Sequence, residues 1–446
     1  MEDITVIGAG LAGVEAAYRI ANGGFRVRLY EMKPKKYSPA HRYEGFAELV
    51  CSNSLKAARI GSAAGMLKEE MRLLGSLVIE AAEATAVEAG GALAVDRYAF
   101  SDYITAKIVS HPNITVVSEE ITRFPERNTI VATGPLTSDP FAAAIEERFG
   151  ASLRFYDAAA PIVTAESVDR SKAFYASRYG RGDADYLNCP FTKEEYDLFY
   201  EELVSAETVP LRSFETLAVY EGCMPVEVLA KRGKDSVRYG CMKPVGLSDP
   251  HTGSRPYAVV QLRKEDRAGT LYNLVGFQTN LKFGEQKRVF RLIPGLEGAE
   301  FTRYGVMHRN TFLNSPCLLD ERFRLRGSDG VYFAGQITGV EGYTESAASG
   351  ILAALHLLRE IGDKPPLTLP ETSMCGALSR HISTETADFQ PMGANMGLLP
   401  PLPERIKDKR ERYAAIARRG LTDLIRVMAE EIAEEWKGRT YDENCG

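Results

Sequence analysis

The chain has 446 residues, 45% hydrophobic and 26% charged, with a formal net charge of −6. This is the make-up of a globular protein with ample core and about two or three domains; no apolar run reaches the length of a membrane span, and no leader peptide is expected ahead of the first motif. Seven cysteines without a Cys-x-x-Cys pair argue against a disulfide framework, a disulfide reductase or a zinc site, so no metal is expected and the cytoplasm is the natural compartment.

Thr5-Val6-Ile7-Gly8-Ala9-Gly10-Leu11-Ala12-Gly13 reads as a buried strand running through a glycine turn into a helix over about Leu11–Asn22. Gly8 permits the tight turn, Gly10 lets the backbone approach a pyrophosphate, and Gly13 lets helix and strand pack closely. The helix amides and dipole then face the phosphates. Val27–Glu31 is a second strand, and Glu31 at its end suits a ribose hydroxyl. Together these predict a dinucleotide fold.

Cys51 follows in Val50-Cys51-Ser52-Asn53-Ser54, where an apolar segment meets small polar residues. That pattern predicts a helix N-terminus at Cys51, a setting that favours thiolate. Ile130-Val131-Ala132-Thr133-Gly134-Pro135 resembles the Ala-Thr-Gly strand of flavoproteins. Residues 1–155 thus read as the first part of an α/β, Rossmann-type FAD-binding domain. From 156 to 305 Tyr, Phe, Gly and Pro become frequent, as in an inserted α+β domain. It holds Glu221-Gly222-Cys223-Met224-Pro225, where Pro225 suits the first turn of a helix and the Cys223 thiol precedes it. Lys282–Arg291 is a basic stripe, read as salt-bridged surface or as polyanion contact.

Gly330-Val331-Tyr332-Phe333-Ala334-Gly335-Gln336 is a late strand and turn, followed by a helix through Glu345–Ala354. FAD enzymes commonly return the chain there to grip the cofactor, whereas a simple NAD domain has no need of it. Residues 306–446 therefore read as the second part of the FAD domain plus C-terminal helices, predicted over Ile406–Arg419 and Leu421–Trp436. Glu404 to Arg419 is a second basic stripe with the same two readings.

Gly8-Ala9-Gly10-Leu11-Ala12-Gly13, Val50-Cys51-Ser52-Asn53-Ser54-Leu55, Gly90–Arg97, Glu221-Gly222-Cys223-Met224-Pro225, Met307–Phe312, Phe333-Ala334-Gly335-Gln336, Gly339–Ser346 and Phe389–Asn395 together resemble the folate- and FAD-dependent tRNA (uracil-5-)-methyltransferase family, TrmFO. Gln336, where many FAD enzymes have Asp, is shared with that family and its larger relative GidA. The resemblance implies methylation of uridine carbon-5 at tRNA position 54, in the T loop. Methylenetetrahydrofolate supplies the carbon, and NAD(P)H supplies electrons through FAD. A thiolate that adds at carbon-6 activates carbon-5, and reduced flavin can carry the methylene group and supply hydride. Cys223 is assigned as nucleophile and Cys51 as acid/base, with exchange of the two roles open. His308 is expected on the folate pterin, and Tyr343 and Glu341 near the isoalloxazine. Ribosomal RNA as substrate and a non-enzymatic RNA-binding flavoprotein are the alternatives. The GidA reaction is disfavoured because the chain is too short for that enzyme's C-terminal domain.

Overall fold

The computed structural model describes residues 3–150, 153–180, 184–210, 224–386 and 389–431. A five-stranded parallel sheet has the order Asp329–Phe333, Arg127–Val131, Ile4–Ile7, Val27–Glu31, Ile114–Ser118. The first strand is central, which explains its β-branched, mostly apolar sequence. The last strand reaches the sheet edge some 200 residues after its neighbour, as the late glycine turn predicts. The ends of three strands meet on one side: Gly8 N–H donates to Tyr30 O, Ala132 N–H to Ile7 O and Ala334 N–H to Val131 O. Ligands of open α/β sheets bind outside such carboxyl ends.

The first helix spans Leu11–Asn22 and lies against the late helix, Tyr343–Ile361. Their approach is set by small residues. A Cβ on Gly350 would sit 2.1 Å from Ala12 O, and one on Gly13 would sit 1.7 Å from Gly8 O. Neither helix has a side-chain cap, and their N-caps are Gly10 and Gly342. Other helices of the same protein are capped by the side chains of Ser62, Ser76, Asp96, Thr192 and Ser373.

The intervening chain builds a six-stranded antiparallel sheet: Phe174–Tyr175, Leu187–Phe191, Ala258–Lys264, Leu271–Leu274, Ile162–Thr164 and Phe301–Arg303. It packs its own hydrophobic cluster around Phe191, Phe199, Phe277 and Phe290. An antiparallel ribbon of Leu153–Ala158 and Met307–Phe312 carries the chain out and back. Among the described residues no helix is long and apolar enough to cross a membrane.

Two predicted elements need correction. Cys51 does not start a helix; the next element is the strand Ser54–Ala57. The polar run that imitates a cap instead feeds long-range hydrogen bonds, given below. The C-terminal segment is a single helix, Lys409–Glu431, through the described residues, not two; Trp436 lies outside them. Gly420 does not break it, because it is a contact point: a Cβ there would lie 2.2 Å from Thr372 O and 2.3 Å from Met66 Cε.

Candidate active site

A cleft with about 1110 Å³ of empty space runs along the sheet's carboxyl edge. Gly8, Gly10, Glu31, Gly335, Gln336 and Tyr343 all line it, so the structure brings together the two glycine turns that lie over 300 residues apart. A Cβ on Gly10 would meet nothing within 4 Å, so the backbone there faces open space of the kind a pyrophosphate needs. Gly8 and Gly335 have φ of +98° and +84°, which side-chain-bearing residues avoid. Glu31 accepts from Ala9 N–H at 2.9 Å and Lys33 N–H at 3.0 Å, which ties the acid to the turn it serves. Gly335 N–H donates to Ser349 Oγ at 2.7 Å. The open cradle, the uncapped helix starts and the acid at the cleft wall fit an FAD.

His41 and Lys33 also line this cleft and carry no sequence motif. Burial, then the Lys33 charge, push His41 down to about 4, so its ring is neutral at pH 7 with Nδ1 2.5 Å from Ser38 Oγ. Lys33 donates to the Tyr43 and Gly45 carbonyls.

A second cavity, of about 1120 Å³, adjoins the first. Val50, Pro135, Leu136, Gln336 and Tyr343 line both. Cys51 and Glu341 line the second, and Gln336 Nε2 donates to Glu341 Oε1 at 2.8 Å. The cysteine loop is held from afar. The amides of Cys51 and Ser52 both donate to Tyr343 Oη, at 2.8 and 3.1 Å. Arg263 donates to Asn53 Oδ1 at 2.9 Å and Ser52 Oγ at 2.8 Å. Asn53 Nδ2 donates in turn to Val95 O and Lys264 O. The Cys51 thiol points at Ala158 O, 3.6 Å away. Burial, then the nearby Cys51, hold the Tyr343 hydroxyl above its ordinary value, so it stays protonated.

Across the cavity Lys56, at φ +65°, places Nζ 2.8 Å from Glu345 Oε1. Burial pushes the Glu345 carboxyl up, but Lys56 and the Ala394 amide outweigh it and the net direction is down. Ala394 belongs to the Phe389–Asn395 motif, which closes over the late turn: Met392 O accepts from Glu341 N–H at 2.9 Å. Lys56, Arg263 and Gln278 carry no sequence motif, and only the tertiary contacts reveal them.

Cys223 lies outside the described residues. The chain resumes at Met224; Pro225 caps the helix Val226–Lys231, one residue ahead of its predicted place in the first turn. Val226 N–H donates to Gln278 O at 2.7 Å, and Gln278 lines the Cys51 cavity. His308 stands on the ribbon strand opposite Asp157; its side chain is outside what is described. Asn310, two residues on, lines the Cys51 cavity. Burial raises the Cys189 thiol to about 12 and Cys375 well above its ordinary value, so both are inert core residues. No metal-holding cluster exists among the described residues. In the first basic stripe Lys282 meets Glu207, Arg288 meets Glu285 and Glu202, and Arg291 donates to Ala299 O. In the second stripe Arg405, Lys407, Lys409, Arg410 and Arg418 are exposed.

The family model described as Glucose inhibited division protein A matches residues 3–365. A Heliobacterium modesticaldum protein named Methylenetetrahydrofolate--tRNA-(uracil-5-)-methyltransferase TrmFO is 60% identical over 432 residues, 96% of this chain and 98% of its own. The Enterococcus faecalis protein of the same name is 57% identical over 427 residues, 95% and 98% of the two chains. Among solved structures, Aquifex aeolicus GidA in two crystal forms is similar in fold, with TM-scores of 0.67 and 0.68. Identity is 16% and 17%, covering 97% of this chain and 77% and 79% of the other.

Proposed function

This chain belongs to the TrmFO family of methylenetetrahydrofolate–tRNA-(uracil-5-)-methyltransferases, and on that premise we propose that it methylates carbon-5 of the T-loop uridine at tRNA position 54, in the cytoplasm, with FAD bound and NAD(P)H as reductant. The observation that carries the reading is the shared wall of the two cavities: the glycine-lined cleft and the Cys51 cavity meet at Gln336 and Tyr343. FAD, when bound, supplies the redox chemistry between reductant and folate-borne carbon.

The chain's own residues do the rest. The Cys223 thiolate forms a bond to uracil carbon-6, and the electron pair moves to the carbonyl oxygen as an enolate. Carbon-5 is then nucleophilic and takes the one-carbon unit. Cys51 removes the carbon-5 proton, the bond from the one-carbon unit to its carrier breaks with the electron pair left on the carrier, a hydride drawn ultimately from NAD(P)H makes the methylene a methyl, and the bond from sulfur to carbon-6 then breaks to restore the ring. Tyr343 and Arg263 hold the Cys51 loop by accepting its amides and donating to its side chains. Placing Cys223 at the site is supported by the tie from Val226, three residues on, to the cavity wall at Gln278. His308 as pterin partner is supported by its strand neighbour Asn310 on that wall.

The test is to incubate purified protein with unmodified tRNA and, separately, with ribosomal RNA, together with labelled methylenetetrahydrofolate and NAD(P)H, then digest the RNA and find the label. Label at T-loop uridine is expected; transfer from S-adenosylmethionine without folate overturns the reading, and label on ribosomal RNA alone redirects it. A fluorouridine-containing T-arm helix, which cannot lose a carbon-5 proton, should trap the protein through Cys223. An adduct mapped to Cys51 reverses the two roles.

A further inference from the structure

The inserted sheet and the first domain enclose a third cavity, of about 770 Å³, that the mechanism above leaves unused. Glu48 lines both it and the glycine-lined cleft, so the two adjoin. Its charged groups are unevenly satisfied. Glu48 accepts the Arg42 and Tyr43 amides and lies 3.8 Å from Lys33 Nζ. Asp266 accepts the amide and hydroxyl of Thr270. Glu265 Oε2 takes two bonds from the buried Arg97, at 3.0 and 2.8 Å. Glu265 Oε1, on a residue 3% exposed, has no hydrogen-bond partner among the described residues.

The cations are left over. Arg303 reaches only the Ala40 carbonyl, at 3.5 Å, and among the described residues neither it nor Arg42 has a carboxylate within ion-pair distance. Burial, then the charge of Arg97, lower the Arg303 guanidinium from its ordinary value, a setting that an anion would relieve. A buried carboxylate oxygen without a donor is costly, so one on a residue that lines a cavity is matched to a ligand N–H. Guanidiniums without counter-ions are matched to phosphate. Tyr98, 51% exposed on the cavity wall, packs edge-on against Tyr43 with ring centroids 5.0 Å apart and offers a face for a heterocycle.

We infer that this cavity binds the pyridine dinucleotide reductant, with its phosphates on Arg42 and Arg303 and an amide or amino N–H on Glu265 Oε1. The inference rests on the methyltransferase reading above. Folate carboxylates also suit guanidiniums, but folate must bring its carbon to the base at the Cys51 cavity, which Arg42 and Arg303 do not line. The dinucleotide needs only the cofactor cleft, whose wall at Glu48 the third cavity shares.

Calorimetric titration of the FAD-loaded protein with NAD⁺, NADP⁺ and, separately, tetrahydrofolate tests this. Arg303→Ala and Arg42→Ala should each weaken dinucleotide binding about tenfold, the loss of one charge-assisted contact. The folate Kd should move by less than about twofold, and the flavin spectrum should not change. Glu265→Gln should weaken dinucleotide binding in the same way; because it also disturbs a buried ion pair, the two arginine variants, which break none, keep the test decisive if that variant fails to fold. Unchanged dinucleotide Kd in both arginine variants overturns the inference, as does a shift in folate Kd instead. If wild-type protein binds neither dinucleotide yet transfers label from methylenetetrahydrofolate after chemical reduction, the inference alone fails. If label transfer also fails, the methyltransferase reading falls with it.

Discussion

The glycine loop at residues 8–13 is held by its own backbone and by the strand that follows it, whereas the cysteine loop at 50–53 is held by side chains from remote elements. Gly13 packs on the carbonyl of Gly8, five residues earlier, and the acid that braces the turn, Glu31, ends the next strand. Cys51 and Ser52 hang instead on Tyr343, 292 and 291 positions away, and on Arg263, 211 positions from Ser52. Phosphate binding needs only backbone geometry, which a few glycines specify locally. Placing a thiol beside a cofactor needs three segments of chain to agree, and no short motif can encode that. Ser52 and Asn53 look like caps because capping and long-range anchoring use the same small hydrogen-bonding side chains.

The sharpest break of the comparison lies inside the glycine loop. Gly13→Val would drive a side chain into Gly8 O and should cost at least ~3 kcal/mol, read as a lost or strongly lowered urea midpoint. Gly10→Val faces open space; that variant should fold with a near-native midpoint and purify colourless, unlike yellow wild-type protein. If both variants behave alike, the loop is not divided into a packing glycine and a cofactor glycine.

The remote anchor comes next. Arg263→Ala leaves Asn53 and Ser52 without their donor and should cost ~2–3 kcal/mol. FAD should stay bound while methyl transfer falls at least about tenfold, because the cysteine loop loses its position and the cleft does not. Retained activity would mean Tyr343 alone suffices.

Gly420→Ala reverses a local rule. Helix propensity alone favours Ala by about 1 kcal/mol, yet the Cβ would meet Thr372 O at 2.2 Å. The net should be a loss of ~1–2 kcal/mol by thermal or urea unfolding; a gain would show that the contact with Thr372 yields and helix propensity decides.

Glu70 extends the comparison to a carboxylate that no motif marks. It accepts the Met374 and Cys375 amides at 2.7 Å each, but burial outweighs these bonds and raises it from 4.5 to about 7. A folded-state value above the unfolded one means its contribution is full below about pH 4.5 and is lost as pH rises toward 7. Buried His41 and His356, both lowered to about 4, act oppositely over pH 4–6.5, so the wild-type curve alone is ambiguous. The midpoint difference between wild type and Glu70→Gln isolates the carboxylate and should shrink from pH 4.5 to 7. A difference that grows would show that the amide bonds win.

The smallest effect on the fold belongs to the basic stripe. Removing Lys409, Arg410 and Arg412 together should change stability by less than about 0.5 kcal/mol per site. It should weaken tRNA binding across sequences and flatten its salt dependence by up to ~3 in slope. Arg412 is half-buried and donates to Ile406 O, whereas Lys409 and Arg410 are exposed, so those two should carry most of the change. Unchanged affinity and slope make the stripe a solvated face.

The sequence by itself determined the elements whose physics is local: the strand, glycine turn and helix at 4–22, the acid-ended strand Val27–Glu31, and the late strand and helix around Gly335. Periodicity and glycine geometry act over a few residues and are written there. It also carried the family resemblance, because motifs such as Gly339–Ser346 and Phe389–Asn395 are long enough to be specific. Only the tertiary structure decided that Cys51 precedes a strand, that Gly420 sits inside one helix, and that Lys56, Arg97, Arg263 and Glu265 bind the inserted sheet and the late helix to the site. Each of these depends on which surfaces meet across hundreds of residues, and a side chain's meaning there is set by its partner, not by its neighbours in sequence.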